Sequence, residues 1–428
     1  MTASSSTRRC FIHVGLPKTG TSYLQGALWA SRKTLTRHDL VMLPATRRDH
    51  FLLSIALRDM LVEAVDPPEA FTVLDRLAAE AAAVTAGKAL ISMESLAPAT
   101  PQEVAGLVSI LAGFEVHVIV TARDLARQVP SGWQQRMKNG LTHGYPEFLD
   151  AVVHRRPLSE DFWLNQDLPD VVERWSSQVP PERVHVVTVP PSGSDPDLLL
   201  RRFCSVLDVA PETLSTRSGS ANSSIGLVQA ELLRRVNLAL ADGPIDDSAP
   251  VRARYPRVRR SLLTHQGLVP QRGVQARTPA EIAPWCEQTA EAWVQQLSAG
   301  GYDIVGDLED LLPRPDDYAP DDQIVTDEAL VDSAAAALAS ILRLRRGEEE
   351  TLERLKAENA ALSETVRLLR KRLRTVRSRH EHGGPAGPTQ DAPTDVSRPL
   401  AGRRLGRWHS RSRSVSPDTP SPGGTDPS

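Results

Sequence analysis

The run Cys10-Phe-Ile-His-Val14 is a short apolar stretch that breaks directly into Gly15-Leu-Pro-Lys-Thr-Gly-Thr-Ser22, after which Ser22-Tyr-Leu-Gln-Gly-Ala-Leu-Trp29 resumes with helical character. An uninterrupted apolar run ending in a glycine-containing loop reads as a buried parallel strand, and the segment beyond it as the following helix. Backbone N–H groups exposed at the start of such a helix, with the positive end of its dipole, form a ready anion site. Thr21 and Ser22 add hydroxyl donors there.

The place of the lysine narrows the kind of anion. The nucleotide-triphosphate loop of the Walker type puts Lys directly after its second Gly, but here Thr21 stands in that place and Lys18 lies inside the loop, two residues before Gly20. The order Pro17-Lys18-Thr19-Gly20-Thr21-Ser22 resembles the 5′-phosphosulfate loop of the sulfotransferases that use 3′-phosphoadenosine 5′-phosphosulfate (PAPS), with a P-loop-type fold and, in this chain, the look of a soluble bacterial member. The resemblance implies a second site for the 3′-phosphate, which the family builds from an Arg at a strand end and a Ser eight residues later. Gly113-Phe-Glu-Val-His-Val-Ile-Val-Thr-Ala-Arg123 is a β-branched run ending in Arg, and Ser131 follows at that spacing in a helical segment. A guanidinium suits the task because its planar fork gives parallel charge-assisted hydrogen bonds to phosphate oxygens.

Strand-like and helix-like segments alternate over the first two-thirds of the chain, the pattern of an α/β fold with a doubly wound parallel sheet flanked by helices. Strands are expected at 10–14, 41–43, 89–93, 116–121 and 184–189. Helices are expected at 22–31, 49–64, 68–86, 101–111, 125–138, 169–178, 196–207 and 224–240. The interval after Leu240 is rich in Arg and Pro and reads as loops and short helices around the mouth of the site. Tyr302 to Leu312 looks like the closing segment of bacterial proteins of this family, so the catalytic domain is expected over 9–320 after a disordered N-terminus, 1–8.

From Leu352 the apolar positions Leu352, Leu355, Leu362, Val366, Leu369, Leu373 and Val376 alternate in steps of three and four, with Asn359 in the remaining seam position. A narrow stripe on an otherwise polar helix reads as a coiled coil over 351–380, joined to the domain by a linker or helix, 321–350. An Asn at an a position selects a parallel two-stranded register, hence an expected homodimer. The basic run Arg367, Arg370, Lys371, Arg372, Arg374, Arg377 and Arg379 places like charges near that seam and opens the alternative of an acidic partner. The Gly/Pro/Ser/Arg-rich stretch 381–428 is expected to be a disordered tail.

Composition removes other classes. With 50 Lys and Arg against 53 Asp and Glu, a formal charge of −3 supplies no global field for nucleic acid. Cys10, Cys204 and Cys286 are odd in number and far apart, which argues against a disulfide framework or a cysteine zinc site and fits a reducing compartment. Residues 1–9 do not read as a signal peptide and no window reaches the apolar length of a membrane span, so a cytoplasmic location is expected. No acidic cluster suggests a metal.

Sulfonate transfer requires a grip on PAPS, stabilisation of the charge on the departing phosphate oxygen, and removal of a proton from the acceptor. The resemblance gives the donor grip to Pro17, Lys18, Thr19, Gly20, Thr21, Ser22, Arg123 and Ser131, with Tyr23 either stacking on adenine or packed in the core. Lys18 is the candidate for charge stabilisation, which makes it catalytic. For the base, Glu94 follows the buried run Ala89-Leu-Ile-Ser-Met93, and carbohydrate-type members use a Glu. His50, which opens a helix, is the alternative, since small-molecule members use His. Arg217 to Asn222 stands where the family closes a loop over the nucleotide. Trp133, Trp163 and Trp175 line either the acceptor pocket or the core. The expected activity is transfer to a hydroxyl or amine of a carbohydrate, glycolipid or small-metabolite acceptor. The competing readings are a P-loop kinase or nucleotide hydrolase using ATP with magnesium, and a catalytically idle scaffold on the same fold.

Overall fold

A computed structural model describes residues 7–216, 224–241, 258–320 and 323–381. Arg217 to Asn222, and with it the expected nucleotide-covering loop, lies outside them, as do residues 1–6 and 382–428 of the two expected disordered ends. Arg8, assigned to the N-terminal one, donates from Nη1 to Val84 O at 2.6 Å and sits over the Phe114 ring.

Among the described residues, six strands form one wholly parallel sheet: β1 Arg9–His13, β2 Leu40–Met42, β3 Lys88–Ser92, β4 Glu115–Ala122, β5 Val184–Thr188 and β6 Asp303–Val305, in the order β2-β3-β1-β4-β5-β6. The side chains of β1 alternate between two apolar layers. Cys10, Ile12 and Val14 join one with Ile91, Val118 and Val186, whereas Phe11 joins the other with Leu90, Ile119 and Val187. Burial on both faces is why these strands read as continuous apolar runs and not as polar/apolar alternation.

Helix Thr21–Ala30 covers the second layer with Leu24, Ala27 and Leu28, and helix Leu198–Leu207 joins it there through Phe203 and Leu207. Helices Arg47–Leu57, Val73–Ala83, Pro101–Ile110 and Leu125–Asn139 cover the other. Their starts follow local chemistry: Thr46 and Asp124 cap their helices, and Thr100 forms a capping box with Glu103 ahead of Pro101.

The expectation of loops and short helices after Leu240 is corrected in two places. Ala283–Ala299 is a 17-residue helix that buries Cys286, Ala290, Trp293 and Leu297, and Asp303–Val305 is the sixth strand, paired in parallel with β5. A three-residue edge strand is too short for periodicity to reveal, and its place is fixed by pairing. The expected helix 49–64 ends at Leu57, and 68–86 divides into a 3₁₀ turn, Pro68–Ala70, and the helix Val73–Ala83.

Helix Leu125–Asn139 carries Pro130 in its interior. A proline there has no N–H for the carbonyl four residues earlier. That carbonyl, Ala126 O, instead accepts from Thr278 Oγ1 at 2.6 Å, so the chain after residue 257 is tied to the start of this helix.

The described chain divides into two compact units, 1–352 and 353 onward. Helix Asp327–Glu381 is continuous. In the first unit its residues Leu330, Ser333 and Ala337 are buried, and Ser333 Oγ donates to Gln271 Oε1 at 2.7 Å. In the second, Leu355, Leu362, Val366, Leu369 and Leu373 are all exposed. No helix among the described residues is long and apolar enough to cross a membrane.

Candidate functional site

Three neighbouring strands, β3, β1 and β4, deliver the site at their C-terminal ends, with His13 in register with both Ser92 and Ile119. Adjacent strands lie ~4.8 Å apart, so groups leaving β3 and β4 flank the loop after β1 at a separation of roughly 10 Å. Ligands of open α/β sheets bind at these ends.

The loop after β1 is strongly turned. Gly15 (φ +54°), Lys18 (φ +75°) and Gly20 (φ +86°) are left-handed. A Cβ at Gly15 would lie 2.6 Å from Thr21 Cγ2 and 3.4 Å from both Glu94 Cβ and Thr121 Oγ1, so glycine is what lets the loop close on its neighbours. Gly20 caps helix Thr21–Ala30 without a side-chain acceptor. Among the described residues, the N–H groups of Lys18, Gly20, Thr21 and Ser22 meet no protein acceptor, while Pro17 and Lys18 form a turn that brings Thr19 back to Leu16. Successive free N–H groups in alternating backbone handedness, at a helix start, form an anion nest.

Beneath the loop runs a buried polar chain. Thr19 Oγ1 donates to Leu16 O at 2.5 Å and meets Thr121 Oγ1 at 2.6 Å; Thr121 Oγ1 lies 3.4 Å from His13 Nε2, whose Nδ1 lies 2.8 Å from Ser92 Oγ. Burial pushes His13 down to about 3, so it is a neutral imidazole at physiological pH. Sequence reading missed this histidine, which occupies the inward side of an apolar strand.

Lys18 is half-buried and has no ion-pair partner among the described residues. Burial lowers its pKa first, the Arg123 guanidinium lowers it further, and the Glu94 carboxylate opposes both, so the three charges share one field. Glu94 opens the 3₁₀ turn Glu94–Leu96 directly after β3, and its Oε2 accepts from Gln25 Nε2 at 2.7 Å. Gln25, from the helix that follows the loop, thus fixes the carboxylate beside it.

Arg123 leaves the end of β4 and is tightly held. Its Nε donates to Gln128 Oε1 at 3.0 Å, and its Nη2 donates to Arg127 O at 2.7 Å and Ser131 Oγ at 2.9 Å, while Ser131 Oγ donates to Arg127 O at 3.0 Å. Nη1 has no partner among the described residues. Burial lowers Arg123 to about 10, against the Asp124 carboxylate, which leaves it cationic at neutral pH. Asp124 is itself engaged, capping the helix through Arg127 N and pairing with the Arg127 side chain.

The other sequence candidates fall elsewhere. His50 is buried with Nδ1 3.1 Å from Ser92 O and Nε2 2.9 Å from Pro44 O, so neither ring nitrogen is open to an acceptor. Tyr23 is half-buried, and its hydroxyl donates to Asp197 Oδ1 at 3.3 Å. Trp133, Trp163 and Trp175 belong to the core. Trp133 also borders a cavity of about 880 Å³ with Tyr145, Glu147, Arg234 and Pro279, and none of Lys18, Glu94 or Arg123 lines it. Gln128 and Gln166, both buried, were not anticipated; a lone glutamine carries no motif. Among the described residues no group of three or more His, Cys, Asp or Glu could hold a metal ion. The three cysteines are buried free thiols, each pushed up to about 12 by burial.

Among solved structures, the chain is similar to the crystal structure of a sulfotransferase from Alicyclobacillus acidocaldarius, at 17% identity over 54% of this chain and 93% of that one, with a TM-score of 0.34. No protein-family model matches the chain. No curated protein matches it either.

Proposed function

We propose that this protein is a sulfotransferase that moves a sulfonate group from PAPS to a hydroxyl or amine of a carbohydrate, glycolipid or small-metabolite acceptor. The observation that carries this reading is the pair of separate anion sites on adjoining strand ends: the nest around Lys18, and the Arg123 guanidinium with Ser131. A donor with phosphate groups at both the 5′ and 3′ positions of one ribose matches two such sites, whereas a nucleoside triphosphate presents its charge as one chain. The free N–H groups of Lys18, Gly20, Thr21 and Ser22 fit the 5′-phosphosulfate, and Arg123 Nη1 fits the 3′-phosphate, joined by the Ser131 hydroxyl when its proton turns away from Arg127 O. Tyr23 stands one turn into the following helix as a neighbour for the adenosine.

In this mechanism the acceptor oxygen or nitrogen forms its bond to sulfur as the bond from sulfur to the bridging phosphate oxygen breaks. The Lys18 ammonium stabilises the negative charge gathering on that departing oxygen, an interaction stronger in the transition state than in the ground state. Glu94, held by Gln25, takes the acceptor proton. His50 is the weaker choice for that role because both its nitrogens face backbone carbonyls. No step calls for a metal.

The organisation proposed with this function is a catalytic domain over 9–320, a linker or helix over 321–350, and a coiled coil over 351–380 that pairs two copies in parallel. The exposed seam residues Leu355, Leu362, Val366, Leu369 and Leu373 support the last.

Calorimetry with adenosine 3′,5′-bisphosphate against ATP plus magnesium tests the donor. Preference for the bisphosphate is expected. Preference for ATP with magnesium would make the protein a kinase or hydrolase, and binding of the bisphosphate without transfer to any acceptor would make it an idle scaffold.

A further inference from the structure

Between the two anion sites stands one buried amide. Gln128 Oε1 accepts from Arg123 Nε at 3.0 Å, while Gln128 Nε2 donates to Pro17 O at 2.5 Å and to Gln166 Oε1 at 2.6 Å. Gln166 Nε2 donates to the same Pro17 O at 3.1 Å. The orientation of both amides is dictated by their partners, since a guanidinium only donates and a backbone carbonyl only accepts. Gln128 thus uses both donors of its Nε2 and accepts once on Oε1, and its side chain lies out of water.

The anchored carbonyl matters because of what shares its peptide. Pro17 C=O and Lys18 N–H belong to one planar trans unit, in which the two bonds point in opposite directions. Holding Pro17 O on two buried glutamines turns the Lys18 N–H the other way, toward the nest, and helps keep Lys18 in its left-handed conformation. The same Gln128 amide fixes the guanidinium of Arg123 by its Nε edge, which leaves Nη1 without a protein partner among the described residues.

We propose that Gln128 is a positioning residue that couples the two anion sites, setting the Pro17–Lys18 peptide for the 5′-phosphosulfate and the Arg123 fork for the 3′-phosphate at once. The inference rests on the two-phosphate reading of the site. It assigns Gln166 a narrower part, because Gln166 touches the loop carbonyl and Gln128 but not Arg123.

The test is calorimetric titration of the full chain and of Gln128→Met and Gln166→Met with adenosine 3′,5′-bisphosphate and with adenosine 5′-phosphate, methionine being close to glutamine in shape. Gln166→Met should weaken both ligands by a similar factor and leave their affinity ratio unchanged. Gln128→Met should weaken both and, in addition, shrink the ratio roughly tenfold, the scale of one charge-assisted hydrogen bond. Unchanged affinities in a folded Gln128→Met, or an equal loss for both ligands, would overturn the coupling. Should Gln128→Met fail to fold, Gln128→Leu takes its place with the same expected and overturning results, and a Gln166→Met that shifts the ratio would overturn the assignment of the coupling to Gln128. A wild-type chain that binds neither ligand overturns the two-phosphate reading itself, an outcome distinct from a wild type that binds both and a variant that does not differ.

Discussion

Arg123 Nη2 donates to Ser131 Oγ across 2.9 Å, although the two residues stand eight apart in sequence and belong to a strand end and a helix interior. The contact is possible because the helix begins at once after the strand and because the Arg127 carbonyl, one turn before Ser131, accepts from both side chains. Replacing Arg123 by Ala is expected to cost about 2 kcal/mol or more of adenosine 3′,5′-bisphosphate affinity, with little change for adenosine 5′-phosphate. Calorimetry reads both, and an equal loss for the two ligands would place Arg123 outside the 3′-phosphate site.

Lys18→Ala and Glu94→Gln should fail in different ways. Loss of the lysine should lower the chemical step on the order of 10²- to 10³-fold for any acceptor, as removal of a group aimed at developing charge does. Glu94→Gln should leave donor affinity nearly intact and abolish the acidic limb of the pH–rate profile. Wild-type turnover in Glu94→Gln, with a dead His50→Ala, would reverse the choice of base.

A pH dependence of donor affinity follows from the lysine. Burial and Arg123 hold its pKa below the ordinary value, so the cation is lost at lower pH than in free lysine. Bisphosphate affinity should therefore decline as pH rises on the alkaline side. In Lys18→Ala that decline should shrink when the same titration is repeated across roughly pH 7 to 10, and what is left near the top of the range belongs to Arg123, which burial lowers to about 10.

His13 predicts a separate effect on stability. Its folded pKa is depressed to about 3 by burial, so between the ordinary histidine value and that point the unfolded chain binds a proton that the folded chain does not. Stability should fall on acidification below about pH 6.5, with a slope from this group of at most about 1.4 kcal/mol per pH unit. Denaturant titrations at about pH 7.5 and about pH 5 should show the loss, and His13→Gln should reduce the difference between them.

The seam on the long helix predicts a dimer that dissolves on truncation. Because Leu330, Ser333 and Ala337 are buried in the first unit, the cut belongs after Gly347 and not at Pro320. Light scattering should find the full chain dimeric and the shortened one monomeric with bisphosphate binding retained. A full-length monomer would remove the coiled-coil role and leave the basic run as an arm for an acidic partner.

Much of the sheet could be read from the chain alone because strands buried on both faces are largely apolar; β1, β3, β4 and β5 are such runs, and the helix after β4 starts at its own cap, Asp124. The Lys18 loop and the Arg123–Ser131 spacing were legible for the same reason, since each is a local pattern. What sequence could not reach is whatever depends on partners far apart in the chain. β6 is a strand only because β5 lies beside it, and the Ala126 carbonyl freed by Pro130 is satisfied by a threonine 152 residues away. His50 reads as a histidine that opens a helix, yet tertiary packing seals both its nitrogens on carbonyls. Gln128 and Gln166 have no signature at all, because an amide acquires meaning only from the donors and acceptors that folding places around it. The local order of residues determined the strand, the loop and the helix; the packing of distant segments decided which way the Pro17–Lys18 peptide faces and how Arg123 is held.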